Sequence, residues 1–290
     1  MHTLPSLYLS HGSPMIALEP REAGAFMQAL GPAIDARLGR PRAVLAVSAH
    51  TLARGHVLLA GAQHEAVYDF RGFPEPLYQM RYQAPGAPDL APRVGELLGA
   101  AGIAVQTLDH GGLDHGLWIP LRFMWPDARV PVLPLSFSPH DTPAQLLALG
   151  RALAPLAHEG VLIVGSGSLT HNLSTIFGPG GRPPVDAPQT PETAAFRDWV
   201  QQRSTERDWP ALADYRRQAP FAAFMHPTDE HWLPFYVAAG AGEVGGTDAT
   251  PQRIHTSLTY GTLAMDAYAF GPGAAVLTQD LAQSPAAVTA

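Results

Sequence analysis

The chain contains no cysteine, which excludes disulfides, iron–sulfur clusters, thiolate zinc sites and a cysteine nucleophile together. It also lacks a basic stripe. The formal net charge is -7 and the charges are not gathered into runs, so nucleic acid is not an expected partner. No apolar stretch approaches the length of a membrane span. The opening MHTLPSLYLS has neither the basic start nor the long apolar core of a signal peptide, and the cytoplasm is the expected location. No G-x-S-x-G elbow and no H-E-x-x-H helix occurs, and Gly165-Ser166-Gly167-Ser168 has neither the lysine nor the spacing of a P-loop. Serine hydrolysis is therefore not expected, although the His110-Gly111-Gly112 stretch is similar to an esterase oxyanion loop.

What the chain does have is alternation. Apolar, β-branched runs bounded by turn residues lie at 7–10, 43–49, 57–60, 103–107, 130–136 and 161–165. Their near-continuous apolarity predicts strands covered on both faces. Helical patterns lie between them: 87–101, with Asp89 placed to cap its first turn, then 142–158 and 190–205, each opening on Thr-Pro, and the short apolar stretch 231–240. The segments 253–259 and 261–268 read as a hairpin. Its 29 prolines and 28 glycines are spread along the chain at element ends, as tight turns require, and 177–189 reads as a surface loop. The expectation is a single α/β domain over 1–270, with a mostly parallel or mixed central sheet flanked by helices. Residues 271–290 read as a flexible tail with little to pack.

The chain has 13 histidines, and their places matter more than their number. His11, His50 and His171 each end or closely follow an apolar strand. In open α/β sheets the carboxyl ends of strands line the ligand crevice. Any one of them reads equally well as a hydrogen-bonded structural histidine, but three in equivalent places predict a shared site. Small residues beside them (Gly12, Ser13, Gly165, Ser166, Gly167, Ser168) would let ligand and backbone approach closely. A further cluster, MHPTDEHWLPFY at 225–236, holds His226, Asp229, Glu230 and His231, where the two acids also suit the first turn of a helix. His110 and His115 sit on a glycine-rich loop. Neutral imidazoles near a carboxylate suit Fe(II), Zn, Mn or Ni alike.

Four motifs, SLYLSHGSPM, VLAVSAHT, SGSLTHNL and PTDEHWLPF, resemble in order and spacing the 4,5-DOPA extradiol dioxygenases, ring-cleaving enzymes of class III. YDFRGFPEPLYQMRYQAPGAPDLA at 68–91 and LDHGLW strengthen the resemblance, which covers nearly the whole chain. It implies an α/β sandwich and a catechol substrate opened by O₂ to a muconic semialdehyde. By position, His11 and His50 match the first two metal ligands and His231 the third. Glu230 is the rival for that third place, because a glutamate fills it in the wider superfamily. His171 matches the acid–base histidine, close enough to be counted as a ligand when zinc is bound, and His115 matches a substrate-side histidine. One Fe(II) per chain is implied for turnover, with Zn(II) the ion of purified protein. Ser13, Ser166 and Trp118, with Phe73 and Trp232, are candidates to line the substrate site. Arg71, Arg81 and Arg122 are candidates to pair with a substrate carboxylate. His226 and His110 are read as structural or surface residues, and His2, His56, His64, His140, His158 and His255 as ordinary polar ones. A zinc-dependent hydrolase and a non-catalytic binding relative remain open as alternatives.

Overall fold

The computed structural model describes residues 3–244 and 249–282. Its first strands are β1 (Ser6–Ser10), β2 (Ala43–Ser48), β3 (His56–Leu59), β4 (Gln63–Glu65), β5 (Gln83–Pro85) and β6 (Val105–Leu108). The rest are β7 (Val132–Pro134), β8 (Val161–Gly167), β9 (Gln252–His255), β10 (Leu258–Thr259), β11 (Leu263–Ala264) and β12 (Ala267–Phe270). Six of them make one sheet in the order β7-β2-β8-β1-β12-β9. The four strands from β7 to β1 are parallel, and β12 pairs antiparallel with both β1 and β9. This is the expected mixed α/β architecture.

Side chains alternate across a strand, and β2 shows the consequence. Val44 and Ala46 pack with Leu7, Leu9, Leu162 and Val164 beneath the helices Arg21–Arg37 and His115–Met124. Leu45 and Val47 pack with Tyr8, Val161 and Ile163 beneath Pro143–Leu153 and Pro234–Ala241. Both faces are covered, so these strands are apolar at every position. Each fully buried Leu, Val or Ile contributes roughly 1.5–3 kcal/mol. Thr142 starts one covering helix with a capping box to Gln145, and Thr190 caps Pro191–Glu206 by accepting from Thr193 N–H.

Several sequence expectations need correction. The runs at 57–60 and 103–107 are strands, but β3 and β6 pair with each other outside the central sheet, and Gln106, Thr107 and Leu108 are exposed. Asp89 does not cap a helix: it lies inside a 3-10 turn, Pro88–Leu90, that precedes Ala91–Ala100. The tail is not loose over 274–282, where a helix forms. Leu277 and Leu281 fall on one face of it and are buried in the same core as the helix Arg21–Arg37. Residues 283–290, and His2, lie outside the described residues. Among the described residues no helix is long and apolar enough to cross a membrane.

The strand order decides where the chemistry sits. β8 lies between β2 and β1, with Ser10 opposite Gly167 and Ser48 opposite Ser166. The segments leaving these three strands, which carry His11, His50 and His171, therefore emerge side by side at one edge of the sheet.

Candidate functional site

The His-Gly-Ser-Pro stretch ends a strand and turns the chain within four residues. Gly12 has φ +68°, and a Cβ there would lie 2.6 Å from Met265 Cε, so the turn requires glycine. Ser13 then accepts from Met15 N–H at 3.3 Å and caps the 3-10 turn Pro14–Ala17. His231 comes from the turn before Pro234–Ala241. Its carbonyl accepts from Ser168 N–H (2.9 Å) and from the Tyr8 hydroxyl (3.1 Å). A Cβ on Gly167 would collide with that carbonyl, and one on Gly165 with the carbonyl of Pro234. The glycines of GSGS therefore seat the 231–234 segment against β8, and do not make room for a substrate ring as the sequence suggested.

His11, His50 and His231 converge. His50 Nε2 lies 3.1 Å from His11 Nε2 and 3.2 Å from His231 Nε2. The opposite ring nitrogens are occupied. Ser166 Oγ, which donates its own proton to the Gly116 carbonyl, accepts from His11 Nδ1 at 2.9 Å. Glu230 Oε1 accepts from His231 Nδ1 at 3.1 Å, and Asp69 Oδ2 lies 3.5 Å from His50 Nδ1. With the protons on Nδ1, the Nε2 lone pairs face one another, an arrangement that repels unless a cation lies between them. Burial, then the neighbouring imidazoles, holds His11 well below the usual imidazole range. Burial, then His115 and His231, pushes His50 down to about 3. His231 is lowered by burial against the opposing pull of Glu230. All three imidazoles are neutral at neutral pH. One ligand atom from each of the three lies within 4.8 Å of the other two, close enough for a single ion to reach them all. The donor set fits a divalent metal.

Two overlapping groups, His50 with Asp69 and His115, and His171 with Glu230 and His231, also bring possible ligand atoms within 4.8 Å of one another. Their carboxylates are otherwise engaged. Asp69 accepts from His115 Nδ1 (2.9 and 3.0 Å) and from His115 N–H (2.9 Å). Glu230 accepts from His231 and from Thr228 (3.0 Å). Burial raises Glu230, but the hydrogen bonds from His231 and Thr228 oppose it, and the carboxyl is held at about 2. Of the two candidates for a third ligand, His231 aims a lone pair at the cluster and Glu230 stands behind it.

The His171 ring lies parallel to that of His231, 3.4 Å between centroids at 10°, and burial, then His231 and His226, lowers it to about 3. His115 starts the helix His115–Met124, its ring 4.1 Å from that of His50. These five imidazoles line a cavity of about 220 Å³, together with Ser13, Phe73, Phe70, Leu173, Ile176 and Leu263. Ser166, Trp118 and Trp232 do not line it. Ser166 is buried behind His11, Trp118 donates to the Val67 carbonyl (3.3 Å), and Trp232 stacks on Phe235 in the core. The sequence alone does not single out Asp69, within YDFRGF, or Asp114, which accepts from Ser48 (2.7 Å) and Thr51 (2.5 Å) at the end of β2. His226 is buried with Nε2 on the Leu169 carbonyl (2.8 Å), and His110 is exposed beside Asp109, both as expected.

Comparison with known proteins agrees with this geometry. Residues 5–271 match the model of the catalytic LigB subunit of aromatic ring-opening dioxygenase. A Beta vulgaris protein named 4,5-DOPA dioxygenase extradiol is 37% identical over 267 residues, covering 91% of this chain and 96% of that one. An Escherichia coli K12 protein of the same name is 35% identical over 246 residues, covering 82% and 85%. A solved Escherichia coli K12 protein, titled uncharacterized, superposes with a TM-score of 0.70 at 30% identity, covering 92% of this chain and all of that one. The coverage leaves almost none of the fold outside the match, and the chain belongs to the LigB family of aromatic ring-opening dioxygenases.

Proposed function

We propose that the protein is an extradiol dioxygenase that opens a catechol ring with O₂, both oxygen atoms entering a muconic semialdehyde, at a single divalent metal held by His11, His50 and His231. The observation that carries this reading is His50 Nε2 lying 3.1 Å from His11 Nε2 and 3.2 Å from His231 Nε2, with the Nδ1 sides turned toward Ser166, Asp69 and Glu230. Fe(II) is the ion proposed for turnover. When bound, it supplies the Lewis acidity and redox chemistry through which the diol and dioxygen react. Zinc binds nitrogen donors more tightly in the general order of affinities, so it is the ion expected in purified protein.

The rest of the work falls to the chain. The walls formed by Phe70, Phe73, Leu173, Ile176 and Leu263 pack a planar ring and exclude water. His115, its Nδ1 proton committed to Asp69, presents Nε2 to the cavity as an acceptor for a diol proton. His171 is neutral, held by stacking, and its side chain makes no hydrogen bond to any described residue. Its ring nitrogens are therefore free to take a proton from the diol and return it later, a role typically worth about 10²–10⁴-fold in rate.

Metal-stripped protein reloaded with Fe(II) under argon, then given O₂ and a panel of catechols, tests the proposal. O₂ uptake with a yellow ring-fission product is expected. His171→Ala should keep the metal and lose turnover. Metal uptake without O₂ consumption on any diol, or ester hydrolysis under argon, would overturn it.

A further inference from the structure

Beyond the histidine cavity lies a vestibule that shares Ser13, Phe73, Phe177, Arg182 and Tyr260 with it. The chain carries 25 acidic against 18 basic residues, yet the charged side chains of this vestibule are Arg21, Arg71 and Arg182 against Glu19 alone. Arg21 and Glu19 pair at 3.3 Å. Arg71 and Arg182 have no carboxylate partner among the described residues. The acids Glu22 and Asp186 line an adjoining cavity of about 140 Å³ that shares Glu19, Arg21, Val185 and Tyr260 with the vestibule, and neither acid lines the vestibule itself.

Among the described residues, Arg182 is the one with a fixed charge that also lines the histidine cavity. Its guanidinium lies 4.7 Å from the Tyr260 ring centroid and 5.9 Å from that of Phe177, and it donates to the Tyr260 hydroxyl. Contact with aromatic faces holds a guanidinium in place, and a single hydrogen bond leaves most of its five N–H donors unused. Phe177 is 68% exposed, so this mouth is open to solvent. The other candidate arginines are elsewhere: Arg81 is committed to the Tyr68 hydroxyl (2.6 Å) and the Tyr78 carbonyl (2.8 Å), and Arg122 lines neither space.

We infer that Arg182, with Arg71 beside it in the vestibule, binds a carboxylate on the substituent of the ring substrate, so that the preferred diols are those with an anionic side chain. The inference rests on the ring-cleaving reading above for the diol end and adds the opposite end. A planar guanidinium matches a carboxylate through two parallel hydrogen bonds, and a positive mouth concentrates anions from solution.

The test is calorimetric titration of zinc-loaded protein with 3-(3,4-dihydroxyphenyl)propanoate, its methyl ester and dopamine, alongside O₂ uptake by the iron-loaded form. The acid should bind about 10- to 100-fold more tightly than the ester, as expected for a hydrogen-bonded charged pair. Arg182→Met should remove that ratio and Arg182→Lys should restore part of it. Equal binding of acid and ester by the unaltered protein, a preference for dopamine, or an unchanged ratio in Arg182→Met would overturn the inference. 3-Phenylpropanoate, which has the carboxylate and no diol, separates the two claims. If it binds more tightly than 3-phenylpropanamide while no catechol drives O₂ uptake, the ring-cleaving reading fails and the anion site stands.

Discussion

Replacing Glu230 decides whether it acts on the metal directly or only through His231. Its Oε1 accepts from His231 Nδ1 at 3.1 Å, while His231 Nε2 faces the other two histidines. A carboxylate in this position orients the ring and makes Nε2 more basic, and loss of such a partner typically costs about 10- to 100-fold in metal affinity, or roughly 1.4–2.7 kcal/mol at 1.36 kcal/mol per decade. Glu230→Ala should weaken zinc binding by that factor, measured by competition with a chelator at fixed pH. Glu230→Gln, whose carbonyl can still accept from Nδ1, should lose less. His231→Ala removes the proposed ligand and should lose far more. The decisive variant is Glu230→Ala/His231→Ala. If Glu230 works only through the imidazole, the double variant binds zinc no worse than His231→Ala alone, because the interaction is already gone. A further drop of 10-fold or more in the double variant would refute the reasoning and make Glu230 a ligand.

Other outcomes follow from the same structure. Gly167→Ala sets a methyl group against the His231 carbonyl, so both the melting temperature and zinc affinity should fall, and an unchanged affinity would show that the 231–234 segment tolerates displacement. Arg197 and Asp266 form a buried two-point pair (2.9 and 3.2 Å; side chains 9% and 0% exposed). Arg197→Met leaves the buried carboxylate with only Arg253, 3.6 Å away, and should cost about 3–5 kcal/mol in denaturant unfolding, whereas a loss under 1 kcal/mol would contradict the pairing. His255 stacks on Phe26 at 4.4 Å, and burial, then Arg197, lowers it to about 4. The unfolded chain takes up this proton near pH 6.5 and the folded chain only near pH 4, so the stability it contributes is complete above about pH 6.5 and declines as pH falls toward 4, by at most about 3 kcal/mol. His255→Gln should flatten the stability profile in that window, and an identical profile would refute the assignment.

Much of the site was legible because its chemistry is tied to strand ends. β1, β2 and β8 are apolar on both faces, so their limits and the histidines that follow them stand out in the sequence. The motif resemblance named His231 without help from periodicity, since the residue lies in a turn. Residues that stand behind these histidines left no such signal. Asp69 and Asp114 are single acids in loops 45 residues apart (114 − 69), and Arg182 lies in a proline- and glycine-rich stretch that reads as surface. Ser166 looked like a ligand contact because it is small and sits beside glycine, yet its hydroxyl is buried between His11 and Gly116.

Local residue order by itself determined the α/β alternation, the turn after His11 and the supply of imidazoles at strand ends, because those depend on side-chain polarity and backbone freedom within a few residues. Tertiary structure alone decided which nitrogens meet and which way each ring points. The interleaving of β8 between β2 and β1 brings His50 within hydrogen-bond range of both His11 and His231. The tautomers that free their lone pairs depend on partners delivered by other elements, and no period in the chain encodes a contact of that kind.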